Sequence, residues 1–144
     1  MKLKIKPLIE DFIPPEYKRD ASAGMDIYFQ TDVTLETGIV TKVNLGFATE
    51  VPNGCVALLV PRSSAGMKGV MLRNTIGIID ADYRGEWIAM LTLDGVSGHS
   101  KIHYARGDRA LQAIIVPFKK MELELTDSLS HTGRGEGGFG STNT

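Results

Sequence analysis

Alternating apolar and polar residues occur near both ends of the chain. Leu3 and Ile5 alternate with lysines, and Met121, Leu123 and Leu125 alternate with glutamates. A period of two is typical of half-buried β-strands, so we expect a strand in each place. Short apolar or β-branched runs predict further strands at 25–29, 39–43, 55–60, 87–93 and 110–116.

Turn-forming residues separate these runs. Gly, Pro, Asn and Asp cluster at 37–38, 52–54, 94–95 and 106–108. Helical periodicity is limited to a turn or two around 64–68, and no internal repeat is visible. Closely spaced short strands are typical of a sandwich or barrel, so the sequence predicts an all-β fold.

Length and charge narrow the class of protein. The 144 residues predict one domain, and 42% hydrophobic residues are enough for a core. A net charge of -1 argues against sequence-blind binding to nucleic acid or to an anionic membrane surface. The single cysteine, Cys55, excludes an internal disulfide and suits a reducing compartment. With no signal-like start and no long apolar run, we expect a cytoplasmic protein without nucleic-acid or membrane partners.

The composition changes at Leu129. Residues 1–128 are predicted to form the all-β domain, and the glycine-rich residues 129–144 to form a flexible tail, because they hold too little apolar surface to offset ordering entropy. A frayed terminus is the simpler interpretation. Against a frayed terminus, the tail carries an arginine, a phenylalanine and a Ser-Thr pair that can bind a ligand. Its G-x-G-x-x-G pattern at 135–140 lacks the following helix of a dinucleotide site, but its glycines allow close approach to an anion.

Arginines and one acidic segment supply candidate chemistry. Arg62, Arg84, Arg109 and Arg134 each stand beside Gly, Ser or Asp. A single arginine of this kind is more often a solvated surface charge, but the repeated placement makes phosphate recognition by several of them an alternative. In the segment 74–85 an acidic pair interrupts an apolar run. Two interpretations stay open: a hairpin with turn aspartates, or a carboxylate at the end of a rigid strand that orients and deprotonates water.

Five segments together resemble the ordered motifs of trimeric dUTPases: AGMDIYF (23–29), PRSSAGMKG (61–69), GIIDADYRGE (77–86), GDRALQAII (107–115) and RGEGGFGST (134–142). The resemblance implies a jelly-roll-like β-clip fold with a flexible C-terminal tail. It implies a homotrimer that hydrolyses dUTP to dUMP and pyrophosphate with Mg²⁺. It also implies that residues 129–144 close as a lid over a neighbouring subunit's site.

The resemblance also implies roles for individual residues. Asp80 matches the carboxylate that activates water for attack on the α-phosphorus, and Tyr83 matches the aromatic that packs under deoxyribose and excludes a 2′-hydroxyl. Asn74 and Gly77, in a 74–80 hairpin, match the edge that reads uracil. The phosphate contacts match Arg62, Ser63, Ser64 and Gln112.

In the tail, Arg134, Ser141 and Thr142 match groups that hold the γ-phosphate, while Phe139 stacks on uracil and Gly138 lies in the same substrate-binding stretch. Mg²⁺ is expected on the phosphates and waters, without direct protein ligands. Asp26, from the first motif, is either structural or touches metal-bound water.

Two alternatives remain. Ser64-Ala65 departs from the commoner PRSGLA form, and the Arg-Ser-Ser of this motif is similar to that of the related dCTP deaminases. The position of the glutamate that those enzymes need falls near Met90, which cannot shuttle protons. A nucleotide-dependent regulator on the same scaffold is the other alternative, with 94–104 as a candidate partner surface. His99 and His103 are interpreted as surface residues rather than a zinc pair.

Overall fold

The computed structural model describes residues 1–138 and is almost entirely β-structure. The described part contains eleven strands and one short helix, α1 (Ser63–Gly66). The strands are β1 (Lys4–Pro7), β2 (Met25–Ile27), β3 (Val33–Glu36), β4 (Thr41–Asn44), β5 (Phe47–Glu50), β6 (Cys55–Pro61), β7 (Val70–Leu72), β8 (Gly77–Ile79), β9 (Ile88–Leu93), β10 (Lys101–Tyr104) and β11 (Leu111–Pro117). The predicted all-β fold is confirmed.

Strands that are far apart in sequence lie side by side in the sheets. The largest sheet has the order β2-β11-β6-β8, and a second sheet has the order β4-β9-β7. The remaining strands form the pairs β1-β5 and β3-β10, and all the ladders are antiparallel. The β11–β6 ladder is central, with seven residue pairs from Leu111↔Pro61 to Pro117↔Cys55. This order brings the 23–29, 61–69, 77–86 and 107–115 segments onto one sheet.

One apolar core lies beneath the sheets. In β6, Cys55, Ala57 and Leu59 are buried while the residues between them are only half-buried, as a period of two requires. Trp87 is fully buried, its ring centroid lies 5.0 Å from that of Phe47, and its indole N–H donates a hydrogen bond to a threonine hydroxyl 3.0 Å away. The core therefore includes the one tryptophan with its polar atom satisfied.

Most predicted strands appear with small shifts at their ends. The runs at 25–29 and 87–93 contain β2 and β9, those at 55–60 and 110–116 overlap β6 and β11, and the alternation at the N-terminus becomes β1. The helical turn expected around 64–68 is α1. The run at 39–43 was placed too early, because Ile39 and Val40 are exposed and β4 begins at Thr41.

Two sequence predictions are wrong. Residues 121–125 form no strand, because within residues 1–138 no other strand pairs with them; Leu123 and Leu125 are 91% and 100% exposed. The 74–80 segment is not a two-stranded hairpin, because β7 pairs with β9 and β8 pairs with β6. Residues 73–76 connect β7 of one sheet to β8 of the other.

In the described part of the chain, no helix has the length and apolar character that crossing a membrane would require.

Candidate functional site

A polar cavity of about 460 Å³ lies where β2, β11 and the start of α1 meet. Asp26 of β2 is the register partner of Gln112 in β11, and Arg62 and Ser63 follow directly after β6. Three of the residues predicted to contact phosphate, Arg62, Ser63 and Gln112, line this cavity together. The fourth, Ser64, lies on α1 and is exposed outside the cavity lining.

Asp26 is a buried carboxylate between two guanidinium groups. Its side chain forms ion pairs with Arg62, whose Nε lies 2.9 Å from Oδ1, and with Arg109, whose Nη1 lies 2.8 Å from Oδ2. Both carboxylate oxygens are therefore engaged by arginines, which supports the structural interpretation of Asp26. Contact with metal-bound water stays a prediction. Arg62 also donates a long hydrogen bond of 3.4 Å from Nη1 to the carbonyl of Arg109, and its side chain lines the cavity.

Gln112 is held close to the backbone of β2. Its Nε2 donates a long hydrogen bond of 3.4 Å to the carbonyl of Pro61. A Cβ added at Gly24 would lie 2.7 Å from the Gln112 amide oxygen, so the glycine allows this close approach. Gly24, the glycine of the first motif, thus lets Gln112 pack closely beside the cavity.

A second cavity, of about 260 Å³, lies beside β8 and contains the residues expected to read the nucleoside. Asn74, Gly77, Asp80 and Tyr83 all line it. Gly77 is buried opposite Leu59 of β6, where a Cβ would lie 3.0 Å from the Leu59 Cβ. Asp80 follows immediately after the last residue of β8 and is exposed to solvent. The structure therefore places this carboxylate at a strand end, as one of the two sequence interpretations requires.

The turn after Asp80 orients Tyr83. The backbone N–H of Tyr83 donates to the Asp80 carbonyl at 3.2 Å, and its hydroxyl donates to the carbonyl of Glu86 at 3.0 Å. Gly85 lies against the ring, where a Cβ would overlap the phenol hydroxyl. The aromatic ring is thereby fixed against the wall of the second cavity.

Asn74 is involved in the connection between β7 and β8. Its side-chain amide donates to the carbonyl of Ile76 at 3.1 Å, and the next residue, Thr75, has a positive φ of 65°. The amide oxygen of Asn74 remains available as an acceptor. The connection is therefore a constrained turn that presents backbone and amide groups to the second cavity.

The two cavities are separate in one chain. Across residues 1–138, no side chain lines both of them. A third cavity of about 540 Å³, which Arg62 and Ser63 also line, shares Leu72 with the second cavity, but Asp80 does not line it. Of the tail residues, Arg134 is exposed and donates to the carbonyl of Gly137 at 2.8 Å, and Gly138 is exposed. Phe139, Ser141 and Thr142 lie outside the described residues.

Two of the arginines that suggested phosphate binding form contacts within the protein instead. Arg109 pairs with Asp26, and Arg84 donates to the carbonyls of Ala81 and Tyr83 at 2.6 and 3.0 Å. Sequence reasoning missed Lys18 and Arg19, which line the polar cavity. The consecutive cations ahead of the first motif were the available signal.

Lys18 belongs to a hydrogen-bonded cluster beside the polar cavity. Glu16 accepts hydrogen bonds from the Lys18 ammonium and the Tyr28 hydroxyl. These bonds, that of Lys18 first, hold the pKa of Glu16 below its ordinary value, and the bond to Glu16 raises the pKa of Lys18. The Arg109 guanidinium lies 5.8 Å from the centroid of the Tyr28 ring, so the cluster is continuous with Asp26.

The donor chemistry of the polar cavity suits an anion. Guanidinium, hydroxyl and amide groups bind phosphate oxygens, whereas a divalent cation requires oxygen acceptors. Within the described range, no group of three or more His, Cys, Asp or Glu side chains could hold a metal ion. A magnesium ion carried on substrate phosphates fits these residues; a cage of protein ligands does not form here.

Comparisons with known proteins agree with this geometry. The family model described as dUTPase matches residues 10–143. The chain is 41% identical over 129 residues to the deoxyuridine 5′-triphosphate nucleotidohydrolase of Anaeromyxobacter sp. (strain Fw109-5), covering 89% of this chain and 86% of that one. It is 37% identical to the same enzyme of Nautilia profundicola, covering 99% of both chains.

Solved structures show the same fold. A mutant dUTPase of Staphylococcus bacteriophage 80alpha with dUpNHpp superposes with a TM-score of 0.89 at 25% identity, covering 99% of both chains. A mutant dUTPase of phage phi11 of S. aureus, described with a structural Mg(II) ion, has a TM-score of 0.80 at 23% identity and covers 89% of this chain and 98% of its own.

Proposed function

The chain belongs to the dUTPase family, and we propose that it hydrolyses dUTP to dUMP and pyrophosphate at sites shared between its subunits. The observation that carries the proposal is the convergence of Arg62, Ser63 and Gln112 on one polar cavity, with Asp80 and Tyr83 on a second. The first set suits a phosphate chain, and the second suits a nucleoside and a water.

Phosphate binding is the task of the polar cavity. Arg62 supplies charge and paired N–H donors, Ser63 supplies a hydroxyl, and Gln112 supplies an amide. Phosphoryl transfer depends mainly on positioning and charge stabilisation, so a preformed set of donors is what the reaction needs. Asp26 keeps Arg62 in place through the 2.9 Å ion pair.

Asp80 is the proposed base. Its carboxylate stands at the end of β8, where the β8–β6 ladder restricts the backbone. It orients a water and accepts its proton as the water oxygen attacks the α-phosphorus and pyrophosphate leaves. Tyr83, fixed by its hydrogen bond to Glu86, packs under deoxyribose and excludes a ribose 2′-hydroxyl. Asn74 and the turn beside Gly77 read the uracil edge.

Mg²⁺ is part of the proposal as a companion of the substrate. When bound to the phosphate oxygens, it neutralises charge that develops on them. The residues of this chain would bind the phosphates, and the metal would keep its coordinated waters. Asp26 contributes to phosphate binding by holding Arg62 in position. Its contact with a metal-bound water remains a prediction.

The arrangement of the two cavities supports a shared site. Because Asp80 and Arg62 line different cavities in one chain, we propose that a complete site forms where the second cavity of one subunit meets the polar cavity of another. We therefore propose a homotrimer, a closed symmetric assembly in which each contact is repeated. The C-terminal tail, with Arg134, Gly138, Phe139, Ser141 and Thr142, would close over a neighbouring site and exclude bulk water.

A panel of nucleoside triphosphates with Mg²⁺ tests the activity. Pyrophosphate release from dUTP, with much less from UTP, dCTP and dTTP, is the expected result. Ammonia release from dCTP would identify a deaminase. Binding of dUTP without any product would identify a nucleotide-dependent regulator.

Mixed oligomers test the shared site. Arg62→Ala and Asp80→Asn chains, each nearly inactive alone, are refolded together. If the two residues meet between chains, random assembly pairs an intact Asp80 with an intact Arg62 at about one site in four, and roughly that share of activity returns. A mixture as inactive as its components would show that both residues act within one chain.

A further inference from the structure

The loop between Glu16 and β2 forms one rim of the polar cavity. Its ends are fixed: Glu16 and Asp26 exchange backbone hydrogen bonds of 3.2 and 2.8 Å, and β2 begins at Met25. Within the loop, the N–H of Ser22 donates to the carbonyl of Arg19 at 3.0 Å and closes a tight turn. Arg19 is thus carried on a short, tethered turn rather than on a free terminus.

Three cations line the polar cavity, and two of them already have carboxylate partners. Arg62 is paired with Asp26, and Lys18 is paired with Glu16. For Arg19, no carboxylate among residues 1–138 lies within ion-pair distance. The positive charge of Arg19 is therefore the one at this cavity that is not offset by a neighbouring anion.

We propose that Arg19 is a further substrate-binding residue, whose guanidinium contacts the distal phosphates of the triphosphate held by Arg62 and Gln112. This inference rests on the proposed function and adds a cation that the family resemblance did not assign. Because the turn is tethered, its backbone loses little conformational entropy when a ligand binds. The guanidinium that it carries presents several N–H donors to phosphate oxygens.

The other explanation for Arg19 is a solvated surface charge. Such a charge contributes little and does not distinguish ligands by their number of phosphates. A contact with the distal phosphates does distinguish them, since dUMP has only the phosphate nearest the sugar. The comparison between a triphosphate analogue and dUMP therefore separates the two explanations.

The test measures binding of dUpNHpp and of dUMP, each with Mg²⁺, to the full-length protein by titration calorimetry. The variants are Arg19→Gln and Arg19→Lys, with Lys42→Gln as a control that removes the same charge from the exposed side of β4. We expect Arg19→Gln to weaken dUpNHpp binding roughly tenfold, equivalent to about 1.4 kcal/mol, and to change dUMP binding much less. Arg19→Lys should recover part of the loss, and Lys42→Gln should bind like the wild type.

Steady-state kinetics provide a second readout. Loss of a contact made equally in the ground and transition states, as in Arg19→Gln, should raise KM for dUTP and leave kcat nearly unchanged. Equal dUpNHpp affinity for Arg19→Gln and the wild type, or equal losses for dUpNHpp and dUMP, would overturn the inference while leaving the proposed function intact. Failure of the wild type itself to bind dUpNHpp would overturn both.

Discussion

Arg62 and Asp26 form an ion pair across the width of a sheet, with Nε 2.9 Å from Oδ1. Asp26 belongs to β2 and Arg62 follows β6, and β11 runs between these two strands. Asp26 is only 6% exposed, so its carboxylate is largely shielded from water, whereas the Arg62 side chain is 29% exposed. Arg109 completes the arrangement from the segment before β11. The position of Arg62 thus depends on three distant parts of the chain.

Asp26→Asn should destabilise the protein and weaken substrate binding together. The amide cannot balance two guanidinium groups, and unsatisfied buried polar groups cost about 1–3 kcal/mol. Urea unfolding and the KM for dUTP measure the two effects. Asp127→Asn, in the exposed C-terminal segment, is the matched control. Unfolding and KM values equal to those of the control would show that Asp26 does not position Arg62.

Asp80→Asn should abolish turnover and preserve binding. The amide cannot accept the proton of the attacking water, and loss of a general base costs about 10²–10⁴-fold in rate. Pyrophosphate release measures kcat, and calorimetry with dUpNHpp measures affinity. Asp82→Asn, an exposed aspartate two residues further along the same turn, should retain most activity. Similar losses for the two variants would contradict the assignment of Asp80 as base.

Tyr83→Ala should weaken the preference for dUTP over UTP. Without the ring, a 2′-hydroxyl fits, and the ratio of kcat/KM values should fall by about 10–200-fold. Tyr83→Phe retains the ring and should preserve most of the preference, although it loses the hydrogen bond to Glu86. Gly85→Ala should also relax the preference, because its Cβ would displace the phenol. An unchanged ratio in Tyr83→Ala would place the sugar elsewhere.

Removal of the residues after Thr132 should reduce turnover strongly and stability little. The described residues 133–138 are largely exposed and form no strand. Exposed segments bury little apolar surface, and single substitutions at exposed positions generally change the free energy of unfolding by no more than about 0.5 kcal/mol, so we expect a small effect. Thermal unfolding and pyrophosphate release measure the two effects. A large drop in the melting temperature, or full activity, would count against a lid.

Asp94 should link stability to pH. Its carboxylate accepts hydrogen bonds from the backbone N–H groups of Ser97 and Val96, at 3.0 and 2.8 Å, which lower its pKa from 3.8. Because the folded-state pKa is lowered, the stabilisation is present above the unfolded-state value and is lost as the pH falls through the folded-state value. Asp94→Ala should therefore be less stable than the wild type near neutral pH.

The difference between Asp94→Ala and the wild type should shrink in acid. Urea unfolding near neutral pH and well below pH 3.8 measures it. Thr126→Ala, in the exposed C-terminal segment, provides a variant whose difference from the wild type should not depend on pH. A constant difference for Asp94→Ala across the two conditions would show that the carboxylate does not act through these hydrogen bonds.

A local sequence pattern was sufficient to predict a strand where the alternation of its side chains was the deciding feature. The alternation of Leu3 and Ile5 with lysines predicted β1, because side chains of a half-buried strand face opposite sides regardless of the partner. The same alternation in 121–125 failed, because a strand also needs a neighbour for its backbone hydrogen bonds, and sequence pattern does not reveal whether one is present. Identical patterns thus have different outcomes.

The amino-acid sequence alone determined the all-β class and the dUTPase family, and it singled out Asp80, Tyr83, Arg62 and Gln112 as candidate site residues, because these depend on local periodicity and on short motifs in a fixed order. Tertiary structure decided which groups meet: Asp26 with two arginines, Arg19 with the polar cavity, and the separation of Asp80 from Arg62 within one chain. These relationships arise from pairing between strands that are distant in sequence, as between β2 and β11, whose paired residues are 84 to 88 positions apart and whose register is set by packing of the whole core.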